Sequence, residues 1–408
     1  MNRSIPLLAG VCLLMAACSS PGRPAVTVDQ AVTLADQPVQ LKVTGVPAGK
    51  PVQVGADAVA WDGKKWHSEA TFTADDHGTI DLGRAKPSGG SYQDVDGMGL
   101  FWSMNPPDGD PDEQSFVPPA EGGWPVEHVD LSVRSGGKQV ARTTITRRWA
   151  APGISSRPLP HQFTGTYVVP KRDGARHPAV LLLGGSEGGV PPLSVAELLA
   201  SHGYPVVALA YFRAPGRPQD LHDIPIEYFA QAAKWLGAQP EADPARIVAM
   251  GTSYGSQPAL LVADLFPTVV HGAVLFAPGD RIIRAFPLAT GAAWTFRGRP
   301  LAPDGEIPVD AVDGPVLAVA GYVDAQWESR LSALSIMRRL DAAHDKYPHE
   351  AVVVDGAGHG VGGTPYVPHG TRFRHPIIGL TDFGGSRAAD DSAIRQGWAK
   401  TLALLAAL

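Results

Sequence analysis

The stretch Arg246-Ile247-Val248-Ala249-Met250-Gly251-Thr252-Ser253-Tyr254-Gly255-Ser256-Gln257-Pro258-Ala259-Leu260-Leu261 decides the fold. An apolar run, a turn and then a helix-forming segment predict a short buried strand, a sharp reversal and a helix. The turn fits G-x-S-x-G, in which small flanking residues let a strained serine project above the end of a sheet. Ser253 is therefore the candidate nucleophile. With 46 glycines in 408 residues, roughly 0.3 such matches arise by accident, and a second match does occur. Gly184-Gly185-Ser186-Glu187-Gly188 also follows an apolar run, residues 179–183. What comes next separates the two: Pro191-Pro192 delay any helix after Ser186, whereas Ser253 leads into one almost at once.

A serine hydroxyl is a poor nucleophile unless a histidine takes its proton and an acid holds that histidine in the right tautomer. Asp324 ends Gly321-Tyr322-Val323-Asp324, just past the apolar run 316–320, where the carboxyl edge of a sheet would lie. His359 stands in Gly356-Ala357-Gly358-His359-Gly360, after the strand-like run 351–354. The chain order Ser, Asp, His is that of an α/β hydrolase. Two bland readings stand beside it: Asp324 as a cap of the helix expected over 326–340, and His359 as a partner of a loop carbonyl. Ser186 then takes the oxyanion-loop position. Backbone amides around Gly185 and Ser186 would join the Tyr254 amide in holding a developing oxyanion.

Upstream of residue 150 the texture is different. Short alternating segments separated by Asp62-Gly63 and Ser135-Gly136-Gly137 predict hairpins and an all-β, immunoglobulin-like sandwich over 25–150. Trp61, Trp66, Phe72, Trp102 and Trp149 are expected to pack in its core or against the next domain. Asp108-Gly109-Asp110-Pro111-Asp112-Glu113 lacks the spacing of a calcium loop and reads as a solvated acidic loop. From 151 to 408 strands alternate with helices, which predicts a mostly parallel, doubly wound sheet. Residues 280–314 interrupt that rhythm as a lid-like insertion, and a helix is expected over 398–408.

Net charge is −6, with 44% apolar and 18% charged residues, an ordinary globular composition with no basic stripe for nucleic acid. No metal or redox cofactor is implied, since the histidines show no ligand spacing and read as surface residues. The N-terminus is more informative. Arg3 precedes an apolar run over 5–17, too short to span a bilayer, and Leu14-Met15-Ala16-Ala17-Cys18 resembles a bacterial lipobox. The expectation is a leader over 1–18, lipidation of Cys18, a tether over 19–24 and a membrane-anchored protein of the cell envelope, with ordinary leader cleavage as the alternative. Cys12 and Cys18 are the only cysteines, so the mature chain forms no internal disulfide.

Several further motifs carry a resemblance. Val95-Asp96-Gly97-Met98-Gly99-Leu100-Phe101-Trp102-Ser103, Arg148-Trp149-Ala150-Ala151-Pro152-Gly153, Leu199-Ala200-Ser201-His202-Gly203-Tyr204 with Ala208-Leu209-Ala210-Tyr211, and Phe383-Gly384-Gly385 look like family signatures. Over about residues 27–405 the chain resembles the acyl-CoA thioesterase and bile-acid-CoA:amino-acid N-acyltransferase family. That resemblance implies a β-sandwich joined to an α/β hydrolase, with Ser253 as nucleophile, Asp324 as orienting acid and His359 as base. The family's amino-acid transferases carry cysteine at the nucleophile position, so serine here favours water as acyl acceptor. Ser253-Tyr254-Gly255 departs from the more usual Ser-Lys-Gly. The expected activity is hydrolysis of an acyl thioester through an acyl-enzyme, with an envelope esterase or lipase on non-CoA esters as the alternative. An acyltransferase and an inactive binding protein rank below both.

Overall fold

A computed structural model describes residues 23–343 and 346–408. The expected leader, Cys18 and residues 19–22 of the tether lie outside the described residues, as do His344 and Asp345.

Residues 25–148 form two facing sheets. The smaller joins Ala25–Val28, Leu41–Thr44 and Ile80–Asp81, and the body of the larger is Pro51–Val59, Lys65–Thr73, Trp124–Ser135 and Lys138–Arg148. Asp62-Gly63 closes the first long hairpin, pairing Val59 with Lys65. Gly136 and Gly137, with φ of 56° and 78°, close the second, where two successive left-handed residues match the twist of the strands. Alternate residues such as Val52, Val54, Ala56, Val129, Leu131 and Val133 turn inward and form the core.

One expectation for this part fails and one is incomplete. Trp66, Phe72, Trp102 and Trp149 are buried, but Trp61 is 69% exposed. It sits where the chain leaves the sheet for the turn, so its ring has no facing layer to pack against. The acidic loop is not simply solvated: Pro111–Glu113 is a 3-10 turn capped by Asp110, and Asp110 and Glu113 form ion pairs with Arg372.

The second part is an eight-stranded sheet. We label its strands β1 (Ser155–Pro158), β2 (Thr164–Val169), β3 (His177–Leu183), β4 (Val206–Ala210), β5 (Ala242–Thr252), β6 (Ala273–Phe276), β7 (Val316–Gly321) and β8 (His349–Val354). The spatial order is β1-β2-β4-β3-β5-β6-β7-β8. All pairs from β4 to β8 are parallel, and β2 runs antiparallel to β4. The helices are α1 (Leu193–Ser201), α2 (Ile226–Gly237), α3 (Ser256–Leu265), α4 (Ser329–Ala342) and α5 (Arg387–Ala407).

The two faces of the sheet build separate cores because successive side chains point to opposite sides. Leu181, Ala249, Leu275 and Ala318 pack against α2, α3 and α4. Val180, Leu182, Val248, Val274 and Val319 pack against α1 and α5, the face that also receives Ala35 and Trp149 from the sandwich side. Strands buried on both faces explain the unbroken apolar runs in the sequence. The insertion 280–314 is anchored by Trp294, fully buried, whose strand Trp294–Phe296 pairs with Ile224–Pro225. Among the described residues no helix is long and apolar enough to cross a membrane.

Candidate active site

β5 ends at Thr252, Ser253–Gly255 makes one 3-10 turn, and α3 follows directly. Ser253 has φ of 55°, a left-handed conformation rare for a residue with a Cβ. The motif's glycines have a packing cause. A Cβ on Gly251 would stand 2.0 Å from the Gly255 carbonyl oxygen, and one on Gly255 2.3 Å from that of Gly184. The helix thus starts in contact with both β5 and the end of β3. The start of α3 and its preceding turn also leaves the Tyr254 amide near a helix N-terminus, where N–H groups face outward.

The three sequence-predicted side chains meet. His359 Nε2 and Ser253 Oγ are 2.9 Å apart, and His359 Nδ1 lies 2.8 Å from Asp324 Oδ2. Parallel register makes this possible: β5, β7 and β8 end on the same edge, with Gly321 opposite Val354. His359 is 5% exposed, and its own amide donates to the Phe383 carbonyl. Asp324 Oδ1 accepts the Gln326 N–H at 2.8 Å in a local turn, but the helix begins only at Ser329 with no side-chain cap, so Asp324 is not its cap and its other oxygen pairs with His359. Burial works to raise the Asp324 pKa, but the hydrogen bond and charge of His359 hold the carboxyl below its ordinary range.

Gly185 lies beside Ser253, but it and Ser186 have partners that local sequence did not reveal. A Cβ on Gly185 would be 3.3 Å from Ser253 Cβ. The Gly185 N–H, however, donates to Glu187 Oε1 at 3.0 Å. Ser186 Oγ lies 3.2 Å from His375 Nε2. His375 is buried and His369 partly so, which corrects the expectation that the histidines outside the Ser253–His359–Asp324 set are surface residues. Burial also pushes the His375 pKa down.

Trp327, Tyr254, Phe286, His375, Phe373, Phe383 and His359 form a closed ring of neighbouring side chains, with centroids 4.7 to 5.9 Å apart. Trp327 stacks on Tyr254 and meets the edge of His359. Phe286 comes from the 280–314 insertion, and Phe373 and His375 come from the hairpin Arg372–His375 and Gly379–Asp382. No motif flagged them. The usable signal was compositional: aromatic residues in segments that break the strand–helix alternation. Among the described residues no cluster of His, Cys, Asp and Glu has the makings of a metal site.

The strand order, the elbow and the Ser–His–Asp contacts define this chain as an α/β hydrolase. Residues 36–161 match the acyl-CoA thioester hydrolase/BAAT N-terminal region, and residues 294–407 match the BAAT/acyl-CoA thioester hydrolase C-terminal region. The chain belongs to this family, and it is an enzyme of the thioester and ester hydrolase class. Acyl-coenzyme A thioesterase 1 of Rattus norvegicus is 29% identical over 393 residues, covering 89% of this chain and 91% of that protein. The peroxisomal succinyl-coenzyme A thioesterase of Mus musculus is 27% identical over 405 residues, covering 90% and 92%. Acyl-coenzyme A amino acid N-acyltransferase 1 of Mus musculus is 27% identical over 393 residues, covering 90% and 93%.

Proposed function

We propose that the chain hydrolyses an acyl thioester through an acyl-Ser253 intermediate. The observation that carries this reading is the unbroken hydrogen-bond path from Ser253 Oγ through both nitrogens of His359 to Asp324 Oδ2. Ser253 Oγ attacks the acyl carbonyl while its proton passes to His359 Nε2. The tetrahedral intermediate collapses, the carbon–sulfur bond breaks, and the thiolate leaves with that proton. Water then attacks the acyl-enzyme, giving a proton to His359, which returns it to Ser253 Oγ as the carboxylic acid departs. Asp324 keeps Nδ1 protonated and stabilises the imidazolium. The Tyr254 amide and the 184–189 loop face the developing oxyanion.

The aromatic ring, with Phe373, Ile378 and Leu380 exposed on its hairpin, suits an apolar acyl group. A fluorophosphonate probe tests the nucleophile: we expect stoichiometric labelling of wild type and of Ser186→Ala, and none of Ser253→Ala. Equal labelling of Ser253→Ala would remove the assignment. Turnover of Ser253→Ala should fall by on the order of a thousandfold or more.

The leader-like N-terminus favours a second reading of the substrate, because an enzyme exported and anchored through Cys18 would meet envelope esters rather than cytoplasmic CoA thioesters. Rates on acyl-CoA and p-nitrophenyl ester series of matched chain length separate the two. Anchoring is checked by growth on an alkyne fatty acid: label should enter the wild-type membrane fraction and be absent from Cys18→Ala.

A further inference from the structure

The loop after β3 carries a side chain that the triad leaves unexplained. Glu187 Oε1 accepts the Gly185 N–H at 3.0 Å. Its Oε2 lies 2.8 Å from the position a Cβ on Gly185 would take, and Ser253 Cβ lies 3.3 Å from that same position. One oxygen is therefore spent on the loop backbone, and the other lies near the same point beside Gly185 as the Ser253 Cβ. Gly184 makes room for this arrangement, since a Cβ there would stand 3.0 Å from Glu187 Oε1.

The surroundings shift the carboxyl toward its neutral form. Burial is the largest influence on Glu187 and pushes its pKa up; its own amide, the Gly185 amide and His359 oppose that only in part. The groups that bear on it are Tyr211 after β4, Ser253 at the elbow and His359 after β8, while Arg213 and His375 lie against its chain neighbours Gly188 and Ser186. Tyr211 is buried, and its hydroxyl donates to the Gly184 carbonyl at 2.6 Å, so its proton is already committed. Arg213 is exposed and lies against Gly188, and it does not figure among the charges that stabilise Glu187. His375 faces Ser186. Among the described residues no lysine or arginine neutralises an ionised Glu187.

An ionised Glu187 would place a negative charge beside a forming oxyanion and keep the Gly185 N–H for itself. A neutral one supplies an O–H in the place where that amide is already occupied. Resting on the Ser253 reading above, we propose that Glu187 is a catalytic residue of the oxyanion site: its carboxyl O–H donates to the oxyanion while its second oxygen holds Gly185, and its ionisation switches the site off. The proton stays on Glu187 throughout and is shared only as a hydrogen bond. A buried carboxylic acid kept neutral to donate in this way has physical precedent.

The test is the pH dependence of kcat for p-nitrophenyl butyrate, on wild type, Glu187→Gln and Glu187→Ala, each first titrated with the fluorophosphonate probe. Wild type should lose activity at alkaline pH. Glu187→Gln, whose amide donates at every pH, should lower kcat by about tenfold at the wild-type optimum and abolish the alkaline loss. Glu187→Ala should lower kcat by about 10²–10³ at the wild-type optimum, with KM little moved and no alkaline loss of its own. An alkaline decline retained in Glu187→Gln, or wild-type kcat in Glu187→Ala, overturns the proposal; should Glu187→Ala not fold, the Glu187→Gln profile decides alone. A wild type that the probe fails to label sinks the Ser253 reading instead, whereas full labelling with an unaltered profile sinks only the role of Glu187.

Discussion

Gly255 has an ordinary right-handed φ of −69°, so backbone freedom is not why it is glycine. The cause is distance: a methyl group there would stand 2.3 Å from the Gly184 carbonyl and 2.9 Å from that of Leu183. The elbow turns so tightly that α3 begins against the end of β3, and that closeness sets Ser253 beside the 184–189 loop. Gly255→Ala is therefore expected to cost about 1–3 kcal/mol of stability and to slow fluorophosphonate labelling by at least an order of magnitude. Thermal unfolding and labelling rates check both, and a well-folded variant labelling at the wild-type rate would contradict the packing account. The meeting of Ser253, His359 and Asp324 was legible at this scale because each of them follows a strand that its own apolar run announces. Glu187 and His375 were not. A glutamate between serine and glycine reads as a solvated loop charge, and the partner of His375 lies 189 positions away, so no local pattern encodes the contact.

Among the elements, α5 shows best what periodicity catches and what it misses. The apolar spacing over 398–408 was read as a helix, but the helix begins at Arg387, capped by the Ser386 hydroxyl, which accepts the Ala389 N–H. Its first turns carry Asp390 and Asp391, which look like exposed charges in sequence and are fully buried in the fold. Asp390 Oδ1 accepts the Gly358 N–H at 2.7 Å, fixing the loop that presents His359, while its other oxygen has no partner among the described residues. Burial pushes the Asp390 pKa up to about 7. A folded-state value above the unfolded one means the native state holds the proton more tightly. Its contribution to stability is thus fully present below about pH 4 and is lost as the pH climbs through about 7. Asp390→Asn keeps an acceptor for Gly358 and cannot ionise. We expect it to be more stable than wild type by about 1–3 kcal/mol or more at pH 8 and close to wild type at about pH 4. Urea unfolding at the two pH values measures this, and a stability difference independent of pH would contradict it.

For the whole molecule, the question is whether the sandwich is an appendage or part of the hydrolase. The sequence marked the change of texture near residue 150 but not the joint, because the groups that make it are scattered along the chain. Asp36 Oδ2, from the sandwich side, accepts the Trp398 indole N–H at 2.8 Å and also bonds His202 at 2.5 Å. Arg387, at the start of α5, donates to Asn105 Oδ1 at 2.6 Å and to the Met104 carbonyl. The deepest contact is Arg147, fully buried and paired with buried Glu127 at 2.7 Å. Its other nitrogen donates to the Ala35 carbonyl at 2.5 Å and reaches toward Pro365 at 3.5 Å, and the nearby Tyr366 N–H donates to Asp391. The guanidinium thus ties the sandwich to the segment that runs back to the His359 loop and into α5. Removing its carboxylate leaves a buried cation without a counter-charge, a change that costs about 3–5 kcal/mol, whereas an isosteric neutral acceptor keeps much of the geometry. Glu127→Ala should therefore lower the midpoint of esterase inactivation by urea together with that of tryptophan fluorescence, although Glu127 lies wholly within the sandwich. Glu127→Gln should fall between it and wild type. Were the sandwich to unfold first in Glu127→Ala while Ser253 still took up fluorophosphonate at the original midpoint, the two parts would be independent folding units and Arg147 would hold only its own sheet together.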